Sequence, residues 1–266
     1  MTTLTTNADL RRVRQLLRGA ALPALLFAIW WAVFRFGWTD TVMFVPIEKV
    51  WETAVRLSGN GYLWTSLGAS LARDLAGFTL GSTVGFAVGI ALGLSRLLEN
   101  LVGPTLHTIK QISLFAWIPL ISVWFGLGDT AKVVFLSLAA FFPVVLNTFE
   151  GIRSVPRELI EVGRVFALSP VQMLRRVVLP AALPSIFNGV HLALIYAWLA
   201  TLGAEYLLTS GIGIGNLLTD GREHLWMDQV LLGIVIVGAV GFVLNFIANH
   251  IEGRLLRWRG TSTGQY

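Results

Sequence analysis

Three features of the sequence predict an all-α integral membrane protein with six transmembrane helices and both termini cytoplasmic. The 266 residues are 55% hydrophobic and only 13% charged, with a mean hydropathy of +0.71. Six apolar runs approach the roughly 20 residues that a helix needs to cross the hydrocarbon core. Lysine and arginine gather on one side of those runs.

A soluble domain carries about 25% charged residues, so most of this chain must face lipid or other apolar helices. The net charge of +5 belongs to membrane flanks rather than to nucleic-acid binding, because the basic residues lie beside the apolar runs. The absence of cysteine excludes disulfide scaffolds, thiolate metal sites and cysteine nucleophiles. The first apolar run begins near residue 20 and is too long for a signal-peptide core, so no cleavable signal is expected.

In chain order, residues 1–19 read as a basic cytoplasmic segment, residues 20–250 as the transmembrane domain, and residues 251–266 as a cytoplasmic tail. The first span runs from about Ala20 to Trp38. Residues 39–72 form a moderately polar outer connection. Within it Pro46, followed by Glu48, Lys49, Trp51, Glu52 and Arg56, reads as an amphipathic surface helix, and Trp51 and Trp64 suit the interface. The second span, Leu75 to Leu94, repeats a small residue every fourth position: Gly77, Gly81, Gly85, Gly89 and Gly93. Such a stripe lies on one helix face and lets backbones approach closely, within the subunit or against a second copy.

The third span, about Ile112 to Leu127, is interrupted by Pro119, and the fourth, Val133 to Phe149, carries a bend at Pro143. Breaks of this kind are tolerated where neighbours or a cavity satisfy the freed carbonyls. The fifth span runs from Phe187 to Leu208 and the sixth from Val230 to His250. With six spans both termini lie on one side. That side collects fourteen of the twenty basic residues: Arg11, Arg12, Arg14, Arg18, Arg96, Lys110, Arg153, Arg157, Arg164, Arg175, Arg176, Arg254, Arg257 and Arg259. The basic side is the cytoplasmic one.

The most informative stretch is cytoplasmic, residues 151–184: GIRSVPRELIEVGRVFALSPVQMLRRVVLPAALP. It is too long for a simple turn. Pro156 sits at a helix start, and Ser169-Pro170 pairs a capping serine with a first-turn proline. Two short helices are expected, roughly Pro156–Ala167 and Pro170–Val178, the second ended by Leu179-Pro180. Glu158, Glu161, Arg164 and Arg175 mix charges on one face, while Leu159, Val162, Phe166, Leu174 and Val177 supply apolar positions. A helix of this kind fits a groove on a soluble partner.

This stretch resembles the cytoplasmic motif EAA-x3-G-x9-I-x-L-P of permease subunits of binding-protein-dependent ABC importers. Glu161, Val162 and Gly163 stand at EAA, Ala167 at G and Val177 at I, while Leu179 and Pro180 match, with the spacing kept. Ala167 in place of glycine questions the sharpness of the turn. The runs Ala116 to Val155, SLARDLAGFTLG, LPAALPSIFNGVHLALIYAWLATLGAEYL and GIGIG resemble the nitrate, sulfonate and taurine branch. Together they cover roughly residues 43–258.

The resemblance implies the type I ABC importer permease fold in a bacterial inner membrane. It implies a homodimer of permeases, two ATPase subunits beneath, and an external substrate-binding protein. Glu158, Glu161, Gly163, Arg164, Ala167, Ser169, Leu179 and Pro180 would form the ATPase-docking loop. The chain has no GxxxxGK[ST] loop, so ATP and Mg belong to the partner ATPase and this chain is a non-catalytic subunit with no cofactor of its own. The expected cargo is a small solute such as an aliphatic sulfonate, taurine or nitrate.

Other residues are weighed by position. Glu205 reads as the one acid well inside a span, near the outer end of the fifth, lining the path as a gate or pairing with Arg35 or Arg73. Asn147, Tyr196, Trp198 and Thr201 are further path candidates. Gly211, Gly213 and Gly215 read as a flexible outer loop or re-entrant turn. His107, His191, His224 and His250 are scattered, with no metal-like spacing, and no metal is expected. An ion-driven secondary transporter, the rival class, would show internal repeats, which are not evident. A membrane hydrolase lacks its nucleophile and base.

Overall fold

The computed structural model describes residues 21–22, 25, 28–32, 45–208 and 210–255. The predicted segment 1–19, most of the first span, Arg35, and the tail beyond residue 255 lie outside them. The described residues of the first span are helical. Helices dominate the fold, and no strand occurs among the described residues.

Helix α1, Ile47–Gly59, follows Pro46 and buries Thr53 and Leu57, while Trp51 faces outward. Asn60 and Gly61, the latter in the left-handed region at φ 77°, turn the chain into α2, Tyr62–Leu94. Helix α2 starts well before the expected Leu75. A reading by hydropathy discounts Ser66, Ser70, Arg73 and Asp74, yet all four are buried on its inner face. Neighbouring elements give partners to Ser70, to Arg73 and to one oxygen of Asp74, which lets these polar groups be buried there, while among the described residues the Ser66 hydroxyl makes no hydrogen bond.

The predicted third span is not one helix. The chain forms α3, Arg96–Ile109, a tight 3-10 turn at Leu114–Trp117, and α4, Ile118–Phe125, with a 96° bend between the two arms. Ser95 caps α3 by accepting from the Leu98 amide, and Pro119 falls in the first turn of α4, where its missing N–H costs nothing. Next come α5, Asp129–Arg153, which continues through Pro143, and α6, Arg157–Val165. Helix α7 is continuous over Pro170–Leu207, then α8 spans Ile214–Glu223 and α9 Met227–Leu255.

Leu179-Pro180 therefore does not end the helix that starts at Pro170. Leu174–Val178 widens into a π turn just before Pro180. A wider turn removes the clash between the proline ring and the carbonyl four residues back, so the helix passes through.

Helices α2, α5, α7 and α9 are long and apolar enough to cross a membrane, and the bent α3–α4 pair adds a fifth crossing. The glycine stripe fixes how the core is built. Cβ atoms at Gly85, Gly89 and Gly93 would lie within 2.8 Å of α5 atoms, at Phe141 O, Thr148 Cβ and Ile152 Cβ respectively. Gly77 and Gly81 face Leu136 and Ser137 in the same way. Numbers rise together on both helices, so α2 and α5 run parallel. Parallel neighbours require a return crossing between them, and α3–α4 supplies it.

Helix α7 packs antiparallel on an adjacent face of α5 and also touches α2. Gly151 meets Ser185 and Gly189 meets Asn147. Helix α9 runs antiparallel to α7, with Trp198 Nε1 donating to Val237 O at 3.1 Å and His191 meeting Asn245 at 2.7 Å. One end of the bundle thus collects residues 94, 153, 170 and 255, and the other collects 62, 129, 207 and 227. Helix α1 lies at the second end, where Thr53 donates to Asp228.

Candidate functional site

Three places concentrate chemistry. The first is a buried ionic cluster at the end where α1 lies. Glu205, 1% exposed, accepts from Arg73 Nη2 at 2.5 Å, Ser70 Oγ at 2.7 Å and the Gly215 amide at 2.7 Å. Arg73 also donates to Asp129 at 2.8 Å and Ile212 O at 2.6 Å, and Lys132 donates to Ser210 O at 2.5 Å. Ser70 in turn accepts from the Ile214 amide at 2.9 Å. The side chains of α2, α5 and α7 therefore hold the backbone of residues 210–215 at four points.

Of the two partners weighed for Glu205, Arg73 is the one it meets, while Arg35 lies outside the described residues. Residues 211–215 are not a loose outer loop: side chains at Gly213 or Gly215 would collide with the Glu205 carboxylate, and α8 behind them is largely buried. Nor is Glu205 the one acid inside the core. Asp74 is fully buried on α2 and accepts from Thr201 Oγ1 at 3.1 Å. Hydropathy opens the second span one residue later, at Leu75, and so leaves Asp74 outside it. Lys132, near the start of α5, is also fully buried.

The second place is a cavity of about 520 Å³ between the α3–α4 break, α5 and α7. Leu114, Phe115, Leu138, Phe142 and Leu199 wall it, and Lys110, Asn147 and Tyr196 are its polar members. Trp198, Thr201 and Glu205 do not line it. Trp198 faces α9, Thr201 is turned to Asp74, and Glu205 sits in the ionic cluster. Asn147 is oriented by donating to Pro143 O at 2.9 Å and accepting from Asn188 at 2.8 Å.

The third place is the corner between α6 and α7. Glu158, Glu161 and Arg164 are exposed on α6, while Gly163 is buried against the Met173 thioether. Ala167 stands in the left-handed region at φ 49°. Its amide reaches Arg164 O at 2.9 Å and the Leu168 amide reaches Gly163 O at 3.1 Å, which is a Schellman closure. The turn is therefore kept despite the alanine. Ser169 caps α7 through a reciprocal box with Gln172, at 3.3 and 3.0 Å. Leu179 and Pro180 are half-buried in α7 rather than at the corner.

An L-residue in the left-handed region costs about 1 kcal/mol relative to glycine. Ala167→Gly is accordingly expected to raise the melting temperature of the purified chain by about 2–4 °C, read by scanning calorimetry. A lower melting temperature would refute the strained turn.

Residues 81–257 match the family described as binding-protein-dependent transport system inner membrane component, two thirds of the chain. The chain belongs to that family. This permease is 36% identical over 249 residues to a Bacillus subtilis (strain 168) chain described as an aliphatic sulfonates transport permease protein, SsuC, with 93% of this chain and 90% of that one covered. It is 31% identical over 252 residues to the taurine transport system permease protein TauC of Escherichia coli (strain K12), covering 93% and 91%. Its fold is similar to a solved inward-facing form of the MetNI methionine ABC transporter, with a TM-score of 0.61 and 22% identity over 71% of this chain and 94% of that one. The permease is a multi-pass membrane protein and a transport subunit of an importer.

Proposed function

We propose that the permease is one half of a homodimer in the cytoplasmic (inner) membrane of a bacterium, with six spans and both termini cytoplasmic. The ionic balance of the two bundle ends supports this orientation. Arg96, Arg153, Arg157, Arg164, Arg175, Arg176 and Arg254 lie at one end. At the other, Arg73 and Lys132 are buried and engaged by partners, leaving Lys49, Arg56 and Arg222. The richer end is cytoplasmic, and the first span returns the N-terminus to it.

Two ATPase subunits, carrying ATP and Mg, dock at the α6–α7 corner of the segment 151–184, and this chain holds no cofactor itself. One observation carries the assignment. Val165 and Phe166, at the end of α6 and beyond the apolar spans, are 84% and 74% exposed beside Glu161 and Arg164. An apolar knob ringed by charge, outside the membrane, is the composition of a docking helix. An external binding protein delivers the cargo at the opposite end, above α1 and α8. The cargo is a small anion or zwitterion, for which the similarity to sulfonate and taurine permeases is the support, with nitrate in the same branch. Asn147 and Tyr196 face the path that the cavity begins.

The test is recovery of the tagged permease from detergent-solubilised membranes with identification of what accompanies it. An ATPase and a binding protein are expected. A chain that emerges alone and transports in liposomes under an ion gradient would overturn the proposal. Phe166→Glu is expected to weaken ATPase capture about 30-fold, as for a buried aromatic anchor, with unchanged melting. Glu161→Lys is expected to leave folding intact and uncouple uptake from ATP hydrolysis. Normal uptake by both variants would refute the docking assignment.

A further inference from the structure

The translocation cavity is apolar on nearly all sides, yet a lysine opens onto it. Lys110 closes the C-terminus of α3, its amide donating to Leu106 O at 3.0 Å while the Gln111 amide donates to Thr108 O at 3.1 Å. Among the described residues its ammonium makes no hydrogen bond or ion pair, and no aspartate or glutamate lines the cavity. The other polar members are Asn147, whose carbonyl oxygen is taken by Asn188, and the half-exposed Tyr196 hydroxyl. Counted along the sequence, Lys110 is one more cytoplasmic flank residue. In the fold it shares a chamber with Asn147 and Tyr196.

Three cargo chemistries meet this chamber differently. A small inorganic anion such as nitrate satisfies the ammonium but leaves the walls of Leu114, Phe115 and Phe142 wet. A zwitterion such as taurine brings a second ammonium, which has no carboxylate to meet and is repelled by the first. An anion with a hydrocarbon body satisfies both the cation and the walls, since burying apolar surface is favourable in proportion to its area.

Resting on the importer reading above, we infer that Lys110 is the specificity-determining contact of the path: it receives the anionic head of a cargo whose apolar body lies along α5 and α7, favouring unsubstituted alkanesulfonates over taurine and nitrate. The binding protein sets which solute is captured. Lys110 acts afterwards, on passage.

The experiment is uptake by the complete importer, in cells, of labelled butanesulfonate, taurine and nitrate, with wild type, Lys110→Gln and Lys110→Arg. Lys110→Gln is expected to lower the maximal rate for butanesulfonate by about tenfold or more, the scale of a lost charged hydrogen bond, with half-saturation unchanged. Lys110→Arg is expected to restore most of that rate. Permease and ATPase recovered per cell should match wild type in both. A wild-type maximal rate in Lys110→Gln would overturn the inference. Equal loss in Lys110→Arg would also overturn it, because the charge is then not what matters. Faster passage of taurine than of butanesulfonate in wild type would refute the preference. Absence of any ATP-dependent uptake in wild type is the separate result by which the importer reading itself fails, and the inference falls with it.

Discussion

Glu205→Ala is expected to lower the melting temperature of the detergent-purified permease by about 10 °C, an effect of roughly 3 kcal/mol for a chain of this size. Breaking a buried ion pair costs about 3–5 kcal/mol, and the lower end applies here. Arg73 keeps Asp129, which is exposed and reaches water, so its charge is not stranded. What the alanine does strand are the Ser70 hydroxyl and the Gly215 amide, both buried. The loss should therefore come with freeing of residues 210–215, seen as faster amide exchange there and not along α5. A double variant, Arg73→Ala with Glu205→Ala, is expected to fall short of the sum of the two single losses, because the pair acts as a unit. Additive losses, or a shift of under about 2 °C for Glu205→Ala, would show that the segment is held by something else.

Gly85→Leu is the second large effect. A Cβ at Gly85 would already lie 2.8 Å from Phe141 O and 3.2 Å from Val144 Cβ. Backbone oxygen on α5 does not swing aside as a side-chain end would. The leucine must instead force the two helix axes apart over the contact from Gly77 to Gly93, about 24 Å of helix. Overpacking typically costs about 1–3 kcal/mol, and a whole side chain against backbone belongs at or above that limit. The expected result is loss of folded permease from membranes, measured by detergent-resistant monodispersity. Gly238→Leu on α9 is the control, since a Cβ there meets nothing within 4 Å. Equal behaviour of the two variants would mean that the stripe is not a packing face.

The parts of this molecule written in local chemistry were legible from sequence. A glycine every fourth residue, Ser169 before Pro170, and the spacing from Glu161 to Pro180 each depend on a few neighbouring residues. The parts written in long-range pairing were not. Ser70, Arg73 and Asp74 look like a polar flank until Glu205 and Thr201, more than 120 residues away, are placed against them. Lys132 and Lys110 look like loop cations, because a charge count along the chain carries no depth. Pro180 looks like a helix stop because the compensating π turn precedes it without any marked residue. The break at residues 110–113 was hidden for a related reason: hydropathy measures length and apolarity, and α3 with α4 has both in sum.

The continuity of α7 has a mechanical consequence. Its 38 residues form a beam of about 57 Å. One tip begins at the exposed α6–α7 corner, and Glu205 sits two residues from the other. A beam pivoting against α5 by about 5° displaces a tip by about 5 Å if the fulcrum is at the opposite tip, or half of that if it is central. With the fulcrum at the opposite tip, that travel exceeds the length of the hydrogen bond by which Glu205 grips the Gly215 amide. No relay of side chains is needed between the two faces of the membrane, because a single stiff member already spans them. The widened turn at Leu174–Val178 is a compliant place in it, close to the tip on which any load would bear.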